Sequence, residues 1–181
     1  MTLPLAAGTW TIDPVHSVVQ FSVRHLGIST LRGRFGEVDA TLTVGGDLAA
    51  TALSAVIGLG SIDTGEPSRD GHVRSSDFFN ADVNPKMTFE STSVEAGDEG
   101  AYQVTGTLTL NEVSRTETLA VSFFGTESNP LDNSLRAGFS AVGSIDRTDY
   151  GIDWNVPLAS GGLMLGKQVD ISIDAQLVSQ A

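Results

Sequence analysis

Period-2 alternation of apolar and polar residues runs through most of the chain. In HSVVQFSVRH, Val19, Phe21 and Val23 fall on one face, and Gln20, Ser22 and Arg24 fall on the other. In EVDATLTV, Val38, Ala40, Leu42 and Val44 alternate with acids and threonines; in YQVTGTLTLN, Tyr102, Val104, Leu108 and Leu110 face away from a ladder of threonines. The pattern returns in Glu117–Phe124, Leu135–Ile145 and VDISIDAQLV, and Leu53–Leu59 and Met87–Val94 read as strands as well. With a short opening strand at TWTI, eight or nine strands are expected.

Glycine- and asparagine-rich breaks at GGD (Gly45–Asp47), AGDEG (Ala96–Gly100) and ESNPLDN (Glu127–Asn133) punctuate these runs as hairpin connections. One-sided strands joined by short turns suit an antiparallel sheet closed into a barrel or folded into a sandwich. No repeat or shift of composition divides residues 1–181, so a single domain is expected. Helix is sparse. Ser68 is the expected cap of a short helix in SRDGHVRSSDFF, with Asp70 near its positive end and Gly71 limiting it to one or two turns. Further helical turns are expected at Arg147–Tyr150 and Gly27–Leu31.

Charge narrows the partners. The chain carries 22 acids against 10 bases, a formal net charge of −12, which repels phosphate backbones and anionic lipid surfaces and argues against nucleic-acid binding. The bases are uneven: Arg24, Arg32 and Arg34 surround His25, and Arg69 and Arg74 flank His72, so half of all bases lie in two short windows. No run of 18 apolar residues offers a transmembrane helix. MTLPLAAGTW lacks the basic and apolar regions of a secretory signal, so a cytoplasmic location is expected. The absence of cysteine removes disulfides, thiolate metal sites and thiol nucleophiles.

The densest polar stretch is Ser61–Phe79, SIDTGEPSRDGHVRSSDFF. Its short acids and hydroxyls suit a segment that crosses a barrel end and satisfies its own backbone groups. Phe78 and Phe79 are expected to pack at one end of the barrel, leaving Arg69, His72 and Arg74 available to a ligand. GGLMLGKQ at Gly161–Gln168 mimics a phosphate-binding loop, but Gln168 replaces the magnesium-binding hydroxyl and a strand follows instead of a helix. His72, Asp70 and Ser76 are too close in sequence to suggest a catalytic triad. His16, His25 and His72 lack metal-binding spacing, so a metal-assisted enzyme is the alternative only if the fold gathers them around a cavity. His16 beside Asp13-Pro14 equally suits a turn-locking hydrogen bond.

Four blocks resemble the YceI-like family of lipid-binding proteins. They are WTIDPVHSVVQFSVRHLGISTLRGRF (Trp10–Phe35), the Ser61–Phe79 stretch, MTFEST followed by YQVTGTLTL, and SIDRTDYGIDWN (Ser144–Asn155). They cover nearly the whole chain in the family's order. The resemblance implies an all-β fold: an antiparallel eight-stranded lipocalin-like barrel with one or two short helical segments and an elongated apolar cavity. It also implies binding, storage or transport of an isoprenoid quinone or polyprenyl phosphate without catalysis, no cofactor beyond that lipid, and a possible homodimer. Two departures bear on the barrel ends: NEVSR places Glu112 where the family usually has a glycine turn, and GKQV (Gly166–Val169) replaces a commonly acidic segment.

Eight strands make a barrel wide enough for one small ligand or for its own side chains. The expected tail cavity is lined by Val19, Phe21, Val23, Leu42, Ile57, Phe89, Leu108, Leu110, Val121, Phe123, Phe139 and Ile171, interspersed with small residues such as Ala40, Ala137 and Ala141. Head-group candidates are Arg24, His25, Arg69, His72, Arg74 and Arg147, because an anionic head needs charge-assisted donors whereas a quinone needs only one or two neutral ones.

Overall fold

The computed structural model describes residues 2–98 and 100–180. Eleven strands follow in chain order: β1 (Gly8–Ile12), β2 (Val18–His25), β3 (Ser29–Phe35), β4 (Val38–Val44), β5 (Ala52–Gly58), β6 (Ile62–Asp63), β7 (Lys86–Ala96), β8 (Ala101–Leu110), β9 (Val113–Ser128), β10 (Leu135–Asp146) and β11 (Leu165–Ser179). Eight of them close an antiparallel barrel in the order β1-β4-β5-β7-β8-β9-β10-β11, with β11 returning to β1. The remaining three, β2, β3 and β6, extend from β11.

Closure depends on β11 serving two partners. Its last residues pair with β1, Leu177 opposite Ile12 and Ser179 opposite Trp10. Its first two-thirds pair with β2, from Leu165 opposite His25 to Asp174 opposite Val18. Between β1 and β2 the chain turns at Asp13–Ser17, so β2 and its hairpin partner β3 flare away from the ring. The flare is bridged to β5 by β6, by Gly58 N–H donating to Glu37 O (2.9 Å), and by Gly36 N–H donating to Ser61 O (3.2 Å). A barrel that is tightly laddered at one end is therefore widened at the other.

The alternation read from sequence carries through as burial. In β8, Tyr102, Val104, Leu108 and Leu110 are buried while the intervening threonines are more exposed. The gap in that series is Gly106, where a Cβ would fall 2.5 Å from the Phe89 ring and 2.5 Å from Glu90 O. Glycine there lets the ring lie across β8.

The helical expectations fare unevenly. Among the described residues the one α-helix, α1, spans Pro67–Arg74, and its cap is Glu66, whose carboxylate accepts from Ser68 N–H and Arg69 N–H; Ser68 is already inside the first turn. Pro67 takes the first helical position because its missing N–H has no partner there to lose. Arg147–Tyr150 is a short helical turn as expected, capped by Asp146. Gly27–Leu31 is not helical: Leu26 (φ 54°) and Gly27 (φ 73°) make a tight turn and β3 begins at Ser29. Turn preference at Leu26-Gly27 and pairing with β2 override the local pattern. The AGDEG turn includes Glu99, which lies outside the described residues.

Candidate functional site

Two hydrophobic clusters divide the interior. At the β1 end, Leu3, Trp10, Leu42, Val44, Leu48, Tyr102, Ala137 and Leu177 form a plug. Trp10 is 1% exposed and its indole N–H donates to Ala6 O (3.1 Å), tying the N-terminal segment across the opening. At the flared end, Val19, Phe35, Ile57, Leu59, Tyr150 and Ile152 anchor the second cluster.

Between these clusters the barrel is hollow. One cavity of about 180 Å³ runs from Leu3 and Leu177 up to Leu108 and Ile145. A second, of about 260 Å³, lies under the flare between β2, β3, α1 and the segment Ile152–Leu165. Val19, Met87, Ile145 and Ile171 line both, so the two abut as one elongated apolar space. Among the described residues, Glu117 is the one charged side chain lining the inner cavity, and it is occupied: Tyr150 O–H, fully buried, donates to Glu117 Oε1 at 2.6 Å. Burial, and then that carboxylate, push the Tyr150 hydroxyl above its ordinary pKa.

The expected tail residues fall along this space. Val19, Leu42, Ile57, Phe89, Leu108, Val121, Phe139 and Ile171 line the inner cavity. Phe21, Val23 and Leu110 line the outer one. Phe123 lines neither; it packs against Phe139 with ring centroids 5.1 Å apart in the plug cluster.

The basic candidates separate into two groups. His25, Arg69, His72 and Arg147 line the outer cavity, but Arg24 and Arg74 do not. Arg24 is exposed and donates to Thr30 Oγ1 and Gly27 O, bracing its own hairpin. Arg74 donates to Gly60 O (3.1 Å). Sequence proximity placed these two with their neighbours, whereas strand alternation and helix rotation turn them away. Arg147 is 5% exposed and acts as a backbone hub, donating to Gly166 O (2.9 Å), Ile152 O (2.6 Å) and Trp154 O (3.0 Å). Desolvation lowers its pKa, partly offset by Asp146 and Asp153. Arg69 donates to Thr64 Oγ1 and Thr64 O, both at 2.8 Å. Asp70, also buried, accepts from Thr64 N–H at 2.9 Å and Thr64 O–H at 2.5 Å. Two charged groups of α1 thus hold the loop before it.

An aromatic cluster completes the mouth. His72 meets Trp154 and Phe78 edge-on at 4.7 and 5.1 Å, while Phe78 lies 5.3 Å from Trp154. Phe79 packs 6.2 Å from Phe35, deeper in the same wall. Trp154, Arg32 and Met164 also line this cavity and were absent from the sequence-derived site. Trp154 stood inside a recognised block, SIDRTDYGIDWN, but its irregular segment gave no periodicity from which to orient it.

The histidines do not converge. His16 engages Asp13 (Nδ1 to Oδ2, 2.9 Å) on the β1–β2 turn, and Asp13 in turn accepts from Arg136 near the far end of β11. His25 pairs with Leu165 at the opposite end of that strand, and His72 Nε2 contacts Asp77 Oδ2 at 2.8 Å. Among the described residues, no three His, Asp or Glu side chains form a metal-binding cluster. His72 and Asp70 have different partners, so the His72–Asp70–Ser76 set is not assembled.

A closed antiparallel eight-stranded barrel around an elongated apolar cavity defines a lipocalin-like fold. The chain belongs to the YceI-like domain family, whose model matches residues 10–177. It is 38% identical over 168 residues to a UPF0312 protein of Staphylococcus epidermidis, covering 92% of this chain and 95% of that one. A UPF0312 protein of Staphylococcus aureus is 37% identical over 170 residues with the same coverage. Among solved structures, the fold is similar to BcnA of Burkholderia cenocepacia (TM-score 0.78, 21% identity, 91% of this chain and 98% of that one). It is similar to the YCEI protein of Campylobacter jejuni (TM-score 0.72, 28% identity, 87% and 90%). It is also similar to a polyisoprenoid-binding domain of Saccharophagus degradans (TM-score 0.67, 17% identity, 94% and 98%).

Proposed function

We propose that this protein binds an amphiphilic isoprenoid-type lipid in the barrel and stores or carries it without chemical change. The observation that carries the reading is the pair of abutting apolar cavities, the outer one bordered by His25, Arg69, His72 and Arg147. Each buried CH₂ contributes roughly 0.8 kcal/mol, so an isoprenoid tail gains affinity there with no hydrogen bond required. Membership of the YceI-like family and the likeness to a polyisoprenoid-binding domain support the same ligand class.

The mouth favours a neutral head such as a quinone over a polyprenyl phosphate. Arg147 is committed to backbone carbonyls and Arg69 to Thr64. A phosphate requires charge-assisted donors free to converge on it. His25 and Trp154 remain as polar side chains at the mouth not held in this way among the described residues, while Arg32 lies opposite Ser22 on the outward face of β3.

Mass spectrometry of an organic extract of freshly purified protein, with metal analysis of the same batch, tests the proposal. The expected result is a stoichiometric isoprenoid, and the molecule itself identifies the head group. Ala141→Phe, which places a ring in the inner cavity, should leave the fold intact and reduce the co-purifying lipid at least tenfold. Equal lipid in both proteins would place the ligand elsewhere. Stoichiometric metal with no lipid would favour the metal-assisted alternative.

A further inference from the structure

The charge and hydropathy of the mouth are asymmetric, and the asymmetry specifies what it touches. Four of the nine exposed large apolar side chains among the described residues gather on one lip: Ile28 (82% exposed), Leu163 (48%), Val156 (38%) and Leu26 (37%). Leu26 N–H donates to Met164 O (2.7 Å) and Met164 N–H to Val156 O (2.9 Å), fastening the β2–β3 hairpin tip to the loop before β11. Isolated exposed apolar residues are ordinary; four on two joined loops beside an apolar cavity are not. His25, Trp154, Met164 and Leu165, on the same two loops, line that cavity.

The same lip escapes the acidity of the chain. Residues 23–35 and 154–169 contain none of the 22 acids and four of the 10 bases: Arg24, Arg32, Arg34 and Lys167. Arg34 is paired with Asp63 at 2.9 Å, leaving the other three cations around the apolar tips. The opposite lip, α1 and its flanking residues, presents Glu66, Asp77 and Asp82, while its two arginines, Arg69 and Arg74, are engaged with Thr64 O and Gly60 O.

We propose that the Leu26–Ile28 tip and the Val156–Leu163 loop form a docking surface for an anionic lipid bilayer, with the molecule tilted so that this lip enters the interface and the α1 lip stays clear. Apolar side chains ringed by cations match the two forces that hold peripheral proteins on such surfaces. The net charge of −12 opposes approach in any other orientation. A lipid leaving the cavity then passes from the mouth directly into the bilayer. That purpose rests on the carrier reading, whereas the docking itself is measured without reference to cargo.

Vesicle co-sedimentation tests it, using phosphatidylcholine vesicles with and without phosphatidylglycerol. The protein should partition onto the anionic vesicles, less so as salt is raised. The double variant Ile28→Asp, Leu163→Asp should lose at least about tenfold of that partition. Leu131→Asp should lose none: Leu131 is 92% exposed but sits on the β9–β10 turn at the plugged end. Equal binding by the wild type and the double variant, or equal loss in Leu131→Asp, overturns the proposal. So does self-association without vesicles that the double variant abolishes, which assigns the lip to a second copy of the chain. Docking without an extractable lipid would defeat the carrier reading and leave the surface standing; a bound lipid without docking would do the reverse.

Discussion

The two ends of the barrel are built from the two ends of the same strand, yet they solve opposite problems. Where β11 pairs with β1, the ladder closes the ring and apolar side chains fill it, with Trp10 and Leu3 drawn over the opening. Where β11 pairs with β2, the ladder leads outward and the opening is roofed by irregular chain. Irregular chain buries peptide groups without a sheet to satisfy them, so this end needs side chains that act as backbone partners. Arg147, Arg69, Asp70 and Asn111 fill that role, the last by donating to Tyr150 O. Among the described residues no buried side-chain polar atom lacks a hydrogen bond. A concentration of charge at a mouth is therefore not by itself a ligand site; much of it builds the mouth.

The comparison can be broken most forcefully at the plug. Trp10→Ala should cost about 3–5 kcal/mol in thermal or denaturant unfolding, because it opens a large void in a closed end. His25→Ala, at the open end, should stay within about 0.5 kcal/mol. Similar losses for the two would erase the distinction between a packed end and an open one.

Arg147→Ala comes next. Removing the guanidinium orphans three backbone acceptors and should cost about 3 kcal/mol. Any loss of lipid should follow the loss of fold and be the same for phosphorylated and quinone ligands. A stable variant that selectively loses a phosphorylated ligand would restore Arg147 as a head-group residue.

A smaller effect appears in acid. The hydrogen bond with His16, aided by Arg136 and Val15 N–H, holds Asp13 at about 2, against an ordinary 3.8. A carboxylate with a depressed native pKa stabilises the fold above its unfolded pKa and loses that contribution as pH falls through the native one. Stability should therefore decline between about pH 4 and pH 2, and Asp13→Asn should flatten this part of the profile while lowering stability at neutral pH. An unchanged acid profile in Asp13→Asn would show that the β1–β2 turn, where the strand pairing divides, is not held by this carboxylate.

The smallest effect lies in the β8–β9 turn. Asn111 (φ 53°) and Glu112 (φ 63°) are both left-handed, the type I′ geometry that favours Asn-Gly. Glu112→Gly should stabilise the hairpin by about 0.5–1 kcal/mol, with no change in lipid content. A destabilised Glu112→Gly would mean that the glutamate side chain is needed at the mouth.

The alternating strands were legible because their side chains report which way they face. Val19, Leu42, Phe89, Leu108 and Ile171 could be placed on the inner wall from spacing of two, and the family blocks supplied the curvature that alternation leaves open. The mouth was less legible for a matching reason. Arg24 and Arg74 adjoin cavity-lining neighbours in sequence but point elsewhere, and Trp154 lies in a segment with no period to orient it.

The sequence by itself determined the β-rich class and the inward faces of the long strands, pointed to the short helical turn at Arg147–Tyr150, and offered the contact between His16 and Asp13 as one of two readings of that histidine. These follow from local sterics, side-chain alternation and neighbours within a few residues. Only the tertiary structure decided that β11 divides its pairing between β1 and β2, that the barrel is plugged at one end and hollow beyond it, and which basic side chains support backbone instead of facing the cavity. Those outcomes depend on pairings across more than a hundred residues, such as Trp10 with Ser179, and on where irregular chain finds its hydrogen bonds. No local pattern encodes a partner that arrives from the other end of the chain.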